Sequence, residues 1–264
     1  MSASPAGLRW QLSRLRSGLG YAPLYGLATI GYGLASMLCS PWDPDGRRQH
    51  RIAQAWARQL LRLAGIRVRV HGAEHLVQPG PAVMVCNHLS YMDVPVLFAS
   101  LPTQFRILAK QGLFRIPFLG GHLKRARHLG VDQSSARASV RSLHQATAAL
   151  TAGMPLFIFP EAGRSFSGAM QPFVPGAFYI AIQAQAPVVP MILAGTFELL
   201  PPGSAHLRPG TVELRICPPV STRGMTRHHA AALAETVRDQ MLALYLQHHP
   251  AVTAPDLPTP QFNG

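Results

Sequence analysis

The chain has 264 residues, 48% of them apolar and only 13% charged, with 24 Lys and Arg against 11 Asp and Glu; that is one medium domain with a real core and a surplus of positive charge. Such a surplus seeks nucleic acid, an anionic membrane face or a polyanionic small molecule. Scattered arginines without basic, aromatic-interleaved runs argue against nucleic acid, and three distant cysteines, Cys39, Cys86 and Cys217, exclude a disulfide framework and a metal-binding spacing.

Residues 19–39 carry no charge over a length able to cross a bilayer. Arg9, Arg14 and Arg16 precede them and Arg47, Arg48 and Arg51 follow. The segment either spans the membrane or embeds in it, and the arginines continuing through Arg58 and Arg62 favour a body on the cytoplasmic face. Residues 47–64 put Ile52, Trp56, Leu60 and Leu63 at helical spacing among arginines, an amphipathic basic helix that can lie on a membrane or pack on the domain. Gly65 supplies its stop.

Strands follow, alternating at 66–72 and continuously apolar at 82–86. A helix is predicted at 93–101, strands at 105–109 and 127–131, and a helix at 134–153 with a serine start and a glycine stop. A short strand at 155–160, a helix at 176–186, strands at 188–195 and 211–216, and a long helix at 226–248 complete the pattern. The alternation predicts an α/β fold, a mixed central sheet flanked by helices, behind an N-terminal membrane-associated helical segment. The organisation expected is an anchoring region at 1–64, a catalytic domain at 65–248 and a disordered tail at 249–264.

Function in such a fold gathers where strands end, and three stretches fall there. CNHLSYMD (86–93) follows an apolar strand. Ser90 and Asp93 have the form of a capping box, yet Asp93 can also accept from one ring nitrogen of His88 and leave the other as a base. IFPEAGRSFSG (158–168) delivers Glu161, Gly163, Arg164 and Ser165 onto a loop, where arginine can fork onto a phosphate or carboxylate and glutamate can hold the arginine or a hydroxyl. LAKQGLFRIPFLGG (108–121) brings Lys110 to the end of a strand. There is no Gly-x-Ser-x-Gly elbow, so a hydroxyl activated by His88 belongs to a substrate.

In order, these stretches resemble the lysophosphatidate acyltransferase family of glycerolipid acyltransferases. NHLSYMD matches the family's Asn-His, four residues, Asp element; LAKQGLFRIPFLG its lysine block; FPEAGRS its Phe-Pro-Glu-Gly-Thr-Arg-Ser block; and VVPM (188–191) its Val-Pro element. The resemblance covers roughly residues 65–220. It implies direct transfer of a fatty acyl group from acyl-CoA or acyl carrier protein to a lysophospholipid hydroxyl, with His88 as base and Asp93 orienting it. It further implies Asn87, Lys110, Glu161, Gly163, Arg164 and Pro190 as substrate-binding residues, membrane lipids as partners, no nucleic acid, no metal and no cofactor beyond the acyl donor.

The chain departs from the pattern in three places. Gln133 stands where arginine, a phosphate ligand in the family, is usual; Ala162-Gly163 replaces Gly-Thr; and Val174-Pro175 stands where a lysine is common. Arg125 or Arg127 is a candidate replacement for the arginine. These losses thin the expected phosphate cage and leave two acceptors open, lysophosphatidate and a lyso-ornithine lipid. A lipid hydrolase or a non-catalytic membrane-binding module are the more distant alternatives.

Overall fold

A computed structural model of the protein describes residues 16–77, 80–117 and 119–248; the tail expected to be disordered lies outside them, as do Arg9 and Arg14. Among the described residues seven strands form one sheet, β1 (Ile66–His71), β2 (Val83–Cys86), β3 (Arg106–Lys110), β4 (Leu129–Val131), β5 (Leu156–Ile158), β6 (Val188–Ala194) and β7 (Gly210–Ile216). Their spatial order is β1-β7-β6-β2-β5-β3-β4. Every pair is parallel except β6 against β7, so the sheet is mixed. The helices are α1 (Ala22–Cys39), α2 (Arg47–Ala64), α3 (Asp93–Ser100), α4 (Leu119–Arg125), α5 (Ala136–Thr151), α6 (Gly176–Gln183), α7 (Thr196–Leu199) and α8 (Ala230–His248).

The central strands are apolar throughout because both faces are covered. In β2, Val83 and Val85 enter a core shared with Leu150 of α5, Phe178 of α6 and Val237 of α8. Met84 and Cys86 point the other way, into a core with Ala57 and Leu61 of α2 and Val96 and Leu97 of α3. The chain therefore leaves β2 toward one face, through α3, and leaves the adjacent β5 toward the other, through α6. A crevice opens at the carboxyl ends of two strands whose connections part in this way. The loops after β2 and β5 meet there.

The helix at 47–64 forms with the boundaries its pattern predicts, and Gly65, at φ 67°, returns its N–H to the carbonyls of Leu61 and Arg62. Its small residues Ala53, Ala57 and Ala64, with Leu61, pack into the core. Trp56, half-buried against the same core, donates to Thr29 of α1 at 3.1 Å. Of the two placements open from sequence, this helix packs on the domain, between the sheet and α1.

The uncharged stretch forms α1, entered through a π-helical turn at Arg16–Tyr21. The turn and the helix are both tied to the body: in the turn Ser17 donates to the Leu207 carbonyl at 3.0 Å, and in α1 Tyr25 donates to the Leu60 carbonyl at 2.7 Å and Ser36 bonds both Gln49 and His122. The other side of α1 exposes Leu24, Leu27, Ile30, Leu34 and Leu38. The serine start of α5 is a genuine cap, with Ser135 Oγ accepting from the Ala138 amide at 3.1 Å. Two short helices, α4 and α7, escape the sequence pattern; α4 contains two glycines, which erase the helical signal. Gly120 is required there because a Cβ would collide with the Phe114 carbonyl.

Candidate active site

After β2 the chain turns back at Leu89–Met92 and enters α3 at Asp93. Asp93 is fully buried, and its Oδ2 accepts three hydrogen bonds: from His88 Nδ1 at 2.8 Å and from the amides of Leu89 and Ser90 at 2.7 and 2.8 Å. An ionised carboxylate only accepts, so Nδ1 carries the imidazole proton and Nε2 presents its lone pair. Half of the expected capping box is present. Asp93 reaches back to the Ser90 amide, but Ser90 Oγ accepts from the Met92 amide and donates to the Leu200 carbonyl. Cap and dyad are therefore one construction, in which the bonds that close the turn also hold the aspartate against His88.

Asn87, expected among the substrate-binding residues, is fully buried with its amide spent. Its Oδ1 accepts from the Leu193 amide at 2.8 Å and its Nδ2 donates to the Leu193 carbonyl at 2.9 Å. It locks the end of β2 to β6, beneath the site.

The loop after β5 lies against the loop after β2. The Ser165 amide donates to the His88 carbonyl at 2.9 Å, and the His88 amide donates to Glu161 Oε1 at 2.7 Å. Glu161 Oε2 accepts from the Gln171 amide at 2.6 Å. Glu161 thus ties three segments together and does not pair with Arg164. Burial pushes its carboxyl up to about 7, against the lowering effect of the two amide donors and with some help from the negative charge of Asp93. Arg164 donates through Nε to the Ser90 carbonyl at 3.2 Å and lies over the Tyr91 ring at 4.6 Å. Its terminal nitrogens carry no hydrogen bond among the described residues, and Glu161, Gly163, Arg164, Ser165 and Phe166 help to wall a cleft of about 450 Å³.

Lys110 sits at the end of β3, on the same edge of the sheet, but in a second cleft of about 330 Å³ with Arg115, Asp132 and Gln133. Among the described residues that wall it the cations are Lys110 and Arg115, not Arg125 or Arg127. Pro190 is enclosed in β6 opposite Val85 and walls neither cleft. Phe159, Tyr91 and Gln171 also belong to the site, through contacts with His88, Arg164 and Glu161. The pleat of β5 signals Phe159, since alternate residues share a face with the end of β2; nothing local marks the other two.

His88, hydrogen-bonded to a buried aspartate and bonded to no serine, threonine or cysteine side chain among the described residues, has the geometry of a general base for a hydroxyl supplied from outside the chain. A family model described as Acyltransferase matches residues 67–194. The chain is 30% identical over 249 residues to a 1-acyl-sn-glycerol-3-phosphate acyltransferase of Saccharomyces cerevisiae, covering 92% of this chain and 82% of that protein. It is 33% identical to the alpha form of the Mus musculus enzyme of the same name, over 69% of this chain and 65% of that one. The crystal structure of the 1-acyl-sn-glycerophosphate acyltransferase from Thermotoga maritima superposes with a TM-score of 0.74 at 23% identity, covering 91% of this chain and 96% of that one, a likeness of fold. The chain belongs to the acyltransferase family, and the class of enzyme is an O-acyltransferase.

Proposed function

We propose that this protein moves a fatty acyl group from acyl-CoA or acyl carrier protein to the free hydroxyl of 1-acylglycerol-3-phosphate, giving phosphatidate. The observation that carries the reading is the His88–Asp93 dyad beside the Arg164 cleft, in a chain whose relatives bear that activity in their names. His88 Nε2 takes the hydroxyl proton as the acceptor oxygen bonds to the thioester carbonyl carbon. The tetrahedral intermediate then expels the thiolate, which receives the proton back from His88. General-base help of this kind is worth on the order of a hundredfold to ten-thousandfold. Arg164, whose terminal nitrogens carry no hydrogen bond among the described residues, is suited to the acceptor's anionic head group.

The second reading is a lyso-ornithine lipid as acceptor. Gln133 favours it, because the second cleft has an amide where the family pattern has a cation, next to Asp132. Membrane association rests on the exposed apolar side of α1 and the exposed Arg47, Arg48, Arg51, Arg58 and Arg62 of α2. A helix bonded to the body at Tyr25 and Ser36, and through Ser17 of the turn before it, cannot stand across the bilayer without drawing the body in after it. We therefore read α1 as embedded in one leaflet, with the α/β body at the cytoplasmic face.

The test is acyl transfer by the purified protein in mixed micelles, with labelled acyl-CoA and acyl carrier protein donors and both lysolipids offered side by side. Phosphatidate as the main product, with turnover lost in His88→Ala, is expected. Activity retained by His88→Ala removes the general-base assignment, and release of free fatty acid alone identifies a hydrolase. Preference for the ornithine lipid makes the absence of arginine at position 133 the specificity determinant.

A further inference from the structure

We propose that Phe159 is a positioning residue for the base: its ring stacks flat on the His88 imidazole and fixes the plane in which Nε2 meets the acceptor hydroxyl. The ring centroids are 3.8 Å apart and the planes 16° from parallel. This rests on the reading of His88 as the general base.

The restraint is needed because the other one is incomplete. The single hydrogen bond from His88 Nδ1 to Asp93 fixes one ring atom and one direction. Together with the Cβ–Cγ bond it still allows coupled χ1 and χ2 adjustments that tilt the ring while keeping that hydrogen bond, and such a tilt swings Nε2 away from the acceptor oxygen. Proton abstraction tolerates little misplacement of the donor and acceptor atoms. A flat neighbour against the ring removes that freedom, which an aliphatic side chain of similar volume does not.

Phe159 is itself well held. It packs edge-on against Phe157 at 5.2 Å, and Phe157, fully buried, packs against fully buried Phe105 at 5.6 Å. Pro160 follows Phe159 and disfavours helical backbone at the residue before it. The chain thus stays extended past β5, and the side chain of Phe159 falls on the same face as that of Phe157. On neighbouring β2, Met84 and Cys86 face the same core, and His88 continues that alternation. The stack follows from the pairing of β2 with β5. The imidazolium formed when the proton is taken also lies over an aromatic face, an attraction equivalent to roughly a twofold to thirtyfold effect.

The test is steady-state kinetics of Phe159→Leu, Phe159→Tyr and Phe159→Trp with lysophosphatidate and acyl-CoA in mixed micelles, beside His88→Ala, with melting curves for each. Phe159→Leu is expected to lose kcat on the order of tenfold while both KM values stay close to those of the parent. At least one aromatic variant should recover most of it. An unchanged kcat in Phe159→Leu, a loss of kcat matched by a rise in both KM values, or failure of both aromatic replacements would each overturn the proposal. An active His88→Ala protein would overturn the base reading itself. An inactive His88→Ala with a wild-type Phe159→Leu would remove Phe159 alone.

Discussion

Two backbone amides from distant segments, His88 and Gln171, converge on the Glu161 carboxyl, which is 8% exposed. Burial raises this group from its ordinary 4.5 to about 7, so the folded protein favours the protonated form. The sign follows: the stability Glu161 contributes is fully present below 4.5 and is lost as pH rises through about 7. Glutamine offers one oxygen to the same two donors, and one amide left unpaired costs about 1–3 kcal/mol. Glu161→Gln should therefore melt below the parent at pH 5, and the gap should narrow by pH 8, where the parent has lost its contribution. Melting curves of the two proteins at both pH values check this, and a gap that widens with pH contradicts it. The sequence marks Glu161 as a site residue but gives it a head-group or Arg164 contact. Its two hydrogen-bond donors in the structure lie 73 and 10 positions away on the main chain, which no local pattern reveals. His88 and Asp93 were legible because only a turn of chain separates them.

At the scale of elements, the turn after β5 shows how a shifted motif is accommodated. Ala162 has φ 57°, a left-handed conformation that costs a residue with a Cβ about 1–2 kcal/mol. The family pattern has glycine at this position. Gly163, one residue on, does not have positive φ, and a Cβ there would meet nothing within 4 Å. The glycine has thus moved off the backbone position that needs it onto one that opens space in the cleft. Ala162→Gly should leave stability unchanged or raise it by up to about 1 kcal/mol, because relieved strain is partly offset by a freer unfolded chain. Denaturant titration reads the difference directly, and a clear loss of stability would show that Ala162 makes a contact worth more than the strain. Helix and strand positions were legible wherever the apolar pattern is strong, periodic in α2 and continuous in β2. They were not in α4, where glycines mask the period, nor in the four-residue α7.

For the molecule as a whole, the decisive relation is between α1 and the body. Leu27 and Ile30, 67% and 47% exposed, lie on the side of α1 turned away from the domain. Replacing both by Asp should weaken binding to anionic vesicles by tenfold or more, since burying each apolar side chain is worth about 1.5–3 kcal/mol, while the melting temperature in detergent stays near that of the parent. Flotation of the two proteins with vesicles measures it; undiminished binding would assign the anchor to the arginines of α2. By itself the sequence determined the α/β class, the order of most elements, the dyad and the loops that carry the cations, because each follows from local periodicity, turn chemistry or a short motif. Only the tertiary structure decided that α2 packs on the domain, that Asn87 locks strands while Glu161 clamps loops, that Lys110 and Gln133 share a cleft apart from Arg164, and that Phe159 lies on His88. Those relations depend on which strands are neighbours, and strand order is set by the packing of two cores on opposite faces of one sheet, which a linear pattern does not encode.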